Sequence, residues 1–328
     1  MRVLIIKLTS MGDLMHAFPA LTDLVARYPD ANIDWVVDES FAEVPQWHPA
    51  VQRVITTAHR RWKKNIVASW REREFQDFYR KLNADSYDVV IDLQSNLKSA
   101  FVSWLRKTPV HGYDRLTCRE KPAHWAYASH FNVPLRQHAV DRQRELFAKV
   151  FGYPQPNSAA DYGVDLSQYP LPTLAASSVP YVVFVHNASW PTKLWPVEHW
   201  QSLIQRVADK GYQVLLPCGS DKEYQRAQTI AADHSSAHAL PKMCLNDMAA
   251  IMSNATAAVC SDTGLAHMAA VASAPAITLY AVTDTVLIGT MGHHQQHIVA
   301  KEGSLGACME DISVNSVFER LQPLLNVI

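Results

Sequence analysis

Short, almost wholly apolar runs alternate along the chain with longer stretches whose apolar residues recur at three- and four-residue spacing. The runs "VLIIK" near the start, "YVVFVH" at 181–186 and "ITLYA" near 280 have no polar face. That pattern is expected of parallel strands covered on both sides by helices. It predicts strands at 2–6, 33–37, 52–56, 88–93 and 109–112, and again at 181–186, 212–216, 256–260 and 276–280. Amphipathic stretches at 71–84 and 197–209 read as helices, as does the last segment, 311–328. Strand-then-helix alternation repeated twice predicts an α/β chain of two Rossmann-like halves.

The break falls at 153–180. Five prolines (154, 156, 170, 172 and 180) and little helical period mark a linker region there, with room for an edge strand. The expected domains are 1–165 and 181–310, joined by 166–180 and followed by the helix 311–328. Two such halves would enclose a central cleft, with ligands at the carboxyl ends of the strands. The residues just after strand runs are therefore the ones to read for chemistry.

Composition narrows the class. The chain has 328 residues, 48% hydrophobic and 19% charged, enough for two ordinary cores. No apolar run reaches the length of a membrane helix, and no secretory signal pattern opens the chain. Five scattered cysteines without CxxC spacing argue against a disulfide framework or zinc site. The net charge of −1 hides an asymmetry: residues 1–165 carry 22 Lys+Arg against 19 Asp+Glu, whereas 166–328 carry 8 against 12. The basic excess concentrates at 53–81 (nine cations, three acids) and 98–121 (six and two). Such clusters favour an anionic partner, or are simply solvated helix faces. The near-neutral whole argues against nucleic acid.

Four loops carry candidate chemistry. In "KLTSMGDLMHAFPAL", 7–21, Asp13 follows the first strand and enters a helix. It is either a helix cap or a general base that takes a proton from an acceptor hydroxyl. Gly12 permits a tight turn or close ligand approach, and Lys7, Thr9 and Ser10 add polar groups. In "VCSDTGLAHMAAVAS", 259–273, the turn Asp262-Thr263-Gly264 opens a helix whose free N–H groups make an anion site, with His267 in its first turn. Asp262 would repel phosphate, so it holds the loop or bonds a sugar hydroxyl. In "HNASWPTKLWPVEHW", 186–200, Lys193 can neutralise a diphosphate, and Pro196 suits the first position of a helix. In "LPCGSDKEYQRA", 216–227, Glu223 either accepts from a ribose hydroxyl or complements a helix start. A fifth group, Arg60, Arg61, Lys63 and Lys64 in "HRRWKKN", aided by Lys98, Arg119, Arg142 and Arg144, suits phosphate or carboxylate groups. Neither GxGxxG nor a P-loop is present, and there is no HExxH or D-x-D pair to hold a metal.

Taken in series, "KLTSMGDLMHAFPAL", "KLWPVEHW" and "SDTGLAHMAA" resemble the ADP-heptose:lipopolysaccharide heptosyltransferases. "FAEVPQWHPAVQRVI", "RRWKK" and "AVDRQRELFAKVFGY" look most like the heptosyltransferase I group within that family. The resemblance runs the length of the chain. It implies a GT-B fold, two Rossmann-like domains with parallel sheets facing a central cleft, the C-terminal helix returning to the first domain. It implies inverting transfer of L-glycero-D-manno-heptose from ADP-heptose to Kdo of Kdo-lipid A. It also implies no metal or cofactor, a cytoplasmic location and peripheral contact with the inner membrane. Asp13 matches the catalytic base. Lys193, Glu223, Asp262, Thr263, Gly264 and His267 match donor positions, with Ser10 and Gly12 beside them. Arg60, Arg61, Lys63 and Lys64 match acceptor positions, with Lys98, Arg119, Arg142 and Arg144 as further candidates. The alternatives are a later core heptosyltransferase, a nucleotide-sugar epimerase, or a nucleotide-sugar-binding protein without turnover.

Overall fold

The computed structural model describes residues 1–64, 73–176, 178–300, 302–303 and 306–325. Two compact units divide at Val164/Asp165. The first holds strands β1 (Arg2–Ile6), β2 (Asn32–Asp38), β3 (Val51–Thr57), β4 (Val89–Asp92), β5 (Val110–Tyr113) and β6 (Ser129–Phe131). They form one parallel sheet in the order β3-β2-β1-β4-β5-β6. The second unit repeats the plan with β7 (Tyr181–Val185), β8 (Gln213–Leu216), β9 (Ala237–Ala239), β10 (Ala257–Ser261), β11 (Ala276–Tyr280) and β12 (Gln295–Val299). Their order is β12-β11-β10-β7-β8-β9, again parallel.

The chain reverses its direction of travel across each sheet at one place, between β1 and β4 in the first unit and between β7 and β10 in the second. The connections leave to opposite faces there, so a crevice opens beyond the strand ends. The loops after β1, β4, β7 and β10 are thus the ones the topology places at a binding edge.

The central strands explain why their sequences read clearly. Residues 3–6 of β1 and all of β7, β10 and β11 are buried. In the second unit, Trp195 and Trp200 pack edge to face, centroids 4.9 Å apart, with Phe184 5.2 Å from Trp200. Trp195 Nε1 donates to Ile312 O, satisfying its one polar atom.

Three expectations change. The helix expected at 311–328 spans Val314–Leu325, with 326–328 outside the described residues. Its Val317, Leu321 and Leu325 sit in the core of the second unit. The 153–180 region contains no strand among its described residues, only a short turn of helix at Leu166–Gln168. Pro196 caps the helix Val197–Ala208 from outside, rather than filling its first position.

Candidate active site

In the first unit the site is built on a brace between two loops. Asp92, at the end of β4, is fully buried and accepts from Gln94 N (2.8 Å), Ser95 N (3.0 Å) and Tyr127 OH (2.8 Å). Burial pushes its carboxyl pKa up, against the pull of those hydrogen bonds. The turn it shapes aims Gln94 Oε1 at Leu8 N (3.1 Å) and Thr9 N (3.2 Å). The loop after β1 is therefore anchored from β4 before it enters the helix Met11–Met15.

Asp13 occupies the third position of that helix. Its Oδ2 accepts from Ser10 N (3.1 Å) and Ser10 Oγ (3.0 Å), and Arg119 Nη1 lies 3.8 Å away. The Asp13 side chain is one-third exposed, and its Oδ1 accepts no hydrogen bond among the described residues. One oxygen thus closes the helix start and the other stays open, so capping and base chemistry do not exclude each other. Ser10 is committed to this cap, and Gly12 is buried in the first turn. Beneath them Lys7 is 5% exposed and its Nζ donates to Leu93 O (3.3 Å). Burial lowers the Lys7 pKa to about 8, with Asp13 and Asp92 opposing the fall.

In the second unit three loops meet at one carboxylate. Asp262, after β10, accepts from Lys193 Nζ (2.5 Å) in the loop after β7 and from Thr283 Oγ1 (2.5 Å) in the loop after β11. Asp262 therefore holds the loop, and Lys193 is a neutralised rather than a free cation. Thr263 caps the helix Gly264–Val271, yet its Oγ1 is buried without a hydrogen-bond partner, as is Ser261 Oγ beside it. Unsatisfied hydroxyls at a helix start, next to free N–H groups, are acceptor-seeking donors that suit a phosphate. His267 is 8% exposed in the first turn of the same helix.

Glu223 sits at the third position of the helix Asp221–Ala231, after β8. Its Oε2 accepts from Gly219 N (2.6 Å), while its own N donates to Ser220 Oγ (3.3 Å). The carboxylate closes a capping arrangement, so the helix-start role is the one observed; Oε1 remains for a ligand.

The basic group separates. Arg61 pairs with both oxygens of Glu39 (3.2 and 3.0 Å) and with Glu74, which together raise its pKa and make it a clamp on the helix His59–Lys64. The Arg60 side chain lies outside the described residues. Lys63, Lys64 and Lys98 are exposed and form no ion pair among the described residues. Arg142 is spent on Pro134 O and Thr117 O and lies over the Tyr113 ring at 4.9 Å. Arg144 is buried, bonded to Asp23 (2.6 and 3.1 Å) and to Ser158 O and Oγ. Arg142 and Arg144 thus make structural contacts within the first unit. Among the described side chains of this group, only Arg119 reaches Asp13. Gln94, Asp92 and Thr283 escaped the sequence reading because each acts through the fold on a distant loop. The one available signal was their position at or just after a strand end.

The model of glycosyltransferase family 9 (heptosyltransferase) matches residues 75–316. Lipopolysaccharide heptosyltransferase 1 of Pseudomonas aeruginosa is 44% identical over 91% of this chain and 83% of its own length. The structure of E. coli heptosyltransferase WaaC with ADP superposes with a TM-score of 0.91 at 40% identity, covering 99% of this chain and 100% of that one. The structure of the same enzyme with ADP-2-deoxy-2-fluoro heptose gives 0.88 at 39% identity, covering 98% and 99%. The two parallel six-stranded sheets are those of a GT-B fold. The chain is a glycosyltransferase and belongs to glycosyltransferase family 9, the heptosyltransferases.

Proposed function

We propose that this chain transfers L-glycero-D-manno-heptose, with inversion, from ADP-heptose to a Kdo sugar of Kdo-lipid A. What carries the reading is likeness over nearly the whole chain to proteins described as heptosyltransferase 1, one of them solved with an ADP-heptose analogue. Each unit, taken by itself, carries groups that suit the reaction.

Inversion needs one displacement. As the acceptor oxygen attacks the anomeric carbon, its proton passes to Asp13 Oδ1, while Ser10 and Arg119 hold the other carboxylate oxygen. The bond from the anomeric carbon to the diphosphate breaks and its electron pair leaves with ADP. Lys193, the Thr263 hydroxyl and the N-terminus of the helix Gly264–Val271 stabilise that charge. Asp262 keeps Lys193 in place until the diphosphate shares it. Glu223 Oε1 and His267 complete the donor contacts. Lys63, Lys64 and Lys98 supply positive field for an acidic acceptor. In this reading protein groups, not a bound cation, neutralise the leaving group. Among the described residues no helix is long and apolar enough to cross a membrane. Use of a nucleotide-sugar donor on a lipid-linked acceptor fits work at the cytoplasmic face of the inner membrane.

The test is purified protein with ADP-heptose and Kdo-lipid A, following ADP release and product mass. One heptose added to Kdo-lipid A is expected. Transfer only to an already heptosylated core would assign it to a later step, and ADP-heptose binding without turnover would make it a binding protein.

A further inference from the structure

The helix Leu97–Trp104 is inside out. Its buried face carries Ser99, Ala100, Val102 and Ser103, while its exposed face carries Leu97 (52% exposed), Phe101 (39%) and Trp104 (59%). The exposed positions fall at i, i+4 and i+7, one continuous stripe. Packed against this helix is the short helix Lys121–Ala126, which buries Ala123 and exposes Trp125 (71%). Large apolar side chains presented by two adjoining elements are more than the scattered exposed residues every surface has.

The charges around them have one sign. Residues 97–126 contain six Lys+Arg and two Asp+Glu. Lys98, Lys107, Arg115, Arg119 and Lys121 are exposed, and the Glu120 carboxylate is taken up by Leu97 N (2.9 Å). Indole rings and apolar side chains framed by cations match the chemistry of a bilayer interface, with acyl chains below anionic headgroups. The patch also adjoins the site. Arg119, the partner of Asp13, donates its N–H to Ser95 Oγ, and Glu120 donates to Ser95 O, one residue before the short helix begins.

We propose that this face, formed by Leu97, Phe101, Trp104 and Trp125 with Lys107 and Lys121, docks the first unit onto an anionic lipid bilayer. The proposal rests on the reading that the acceptor is lipid-linked, and it names where on the chain the membrane is met. The neighbouring basic helix His59–Lys64 is less free to meet a bilayer. There Arg61 is consumed by Glu39 and Glu74, and Trp62 is tied to Glu74 and packed on Phe78.

The experiment is co-sedimentation of the full chain with vesicles of equal parts phosphatidylglycerol and phosphatidylethanolamine, and with phosphatidylcholine vesicles. The chain is expected on the anionic vesicles and much less on the zwitterionic ones. Lys107→Gln with Lys121→Gln should weaken partitioning by about thirtyfold, from about 1 kcal/mol per cation near the surface. Trp104→Ser with Trp125→Ser should weaken it by about tenfold or more, the helix's buried face being untouched. Transfer of heptose to a water-soluble, acyl-free Kdo acceptor should stay at wild-type rates in both variants. Wild-type protein that fails to bind anionic vesicles, binds both kinds equally, or keeps its affinity in the tryptophan variant overturns the proposal. So does a shift from dimer to monomer in that variant without vesicle binding, which would make the face a contact between copies. Absence of any transfer by the wild type would instead defeat the functional reading, whatever the vesicles show.

Discussion

Replacing Asp13 by asparagine separates the two duties of that carboxylate. The amide oxygen can take the place of Oδ2 and keep both bonds from Ser10, so the start of the helix Met11–Met15 survives. The pair with Arg119, at 3.8 Å and with side chains 65% and 33% exposed, is worth only about 0–1 kcal/mol. Folding should therefore fall by no more than about 1 kcal/mol. Turnover is another matter, because an amide cannot take a proton from an attacking hydroxyl. General base catalysis contributes about 10²–10⁴-fold, so the barrier should rise by about 3–5.5 kcal/mol. The assay is steady-state ADP release with acceptor present, beside ADP affinity by calorimetry and a urea melt. Turnover down by at least about a hundredfold, with ADP affinity unchanged and stability lower by no more than about 1 kcal/mol, is the expected outcome. Turnover within tenfold of wild type would refute the base assignment and leave Asp13 a cap. Ser10→Ala is the control: it removes one bond to Asp13 and should cost about 0.5–2 kcal/mol of stability with far less effect on turnover.

Three further outcomes follow from buried groups. Breaking the Asp23–Arg144 pair with Asp23→Asn should destabilise by about 3–5 kcal/mol in urea melts while turnover per folded molecule holds, since Arg144 is structural; a selective rise in acceptor KM would restore it to the acceptor side. Burial lowers the pKa of His48 to about 4 and of His186 to about 3. Unfolded chains then bind more protons than folded ones below about pH 6.5. Each histidine's stability is full above that pH and falls as pH drops toward its folded value, by about 2 kcal/mol each at pH 5. His48→Gln should flatten the acid limb of a stability-against-pH curve, and an unchanged limb would exclude it as a cause. Lys7 works in the alkaline range: with its pKa lowered to about 8, stability should rise with pH from about 8 to 10.5 as the burial penalty is relieved. Lys7→Met should abolish that rise, and a persistent one must come from another group.

Much of the fold was legible because the central strands are buried on both faces, and nothing else writes a run like "YVVFVH". Within the two parallel sheets, the strands that escaped, β6, β9 and β12, lie at sheet edges and read Ser-His-Phe, Ala-His-Ala and Gln-Gln-His-Ile-Val. With one side unpaired and side chains half in water, they carry no continuous apolar signal. The site divides in the same way. Asp13, Lys193 and the 262–264 turn could be named because they follow strand runs, and chain order alone puts them at strand ends.

What the chain order could not supply is which strand ends are neighbours. The order β3-β2-β1-β4 sets the loop after β1 against the one after β4, so Gln94 can brace Thr9 across 85 residues. The order β11-β10-β7 lets Asp262 meet Lys193 across 69 residues and Thr283 across 21. Arginine by arginine, the basic clusters looked alike in sequence. Only packing decided that Arg144 is sealed against Asp23, that Arg61 clamps two glutamates, and that Arg119 is left beside Asp13. Local sequence determines which residues can form strands, caps and charges, because those depend on near neighbours. Partner choice depends on distances between segments far apart in the chain, and that was decided by the tertiary fold.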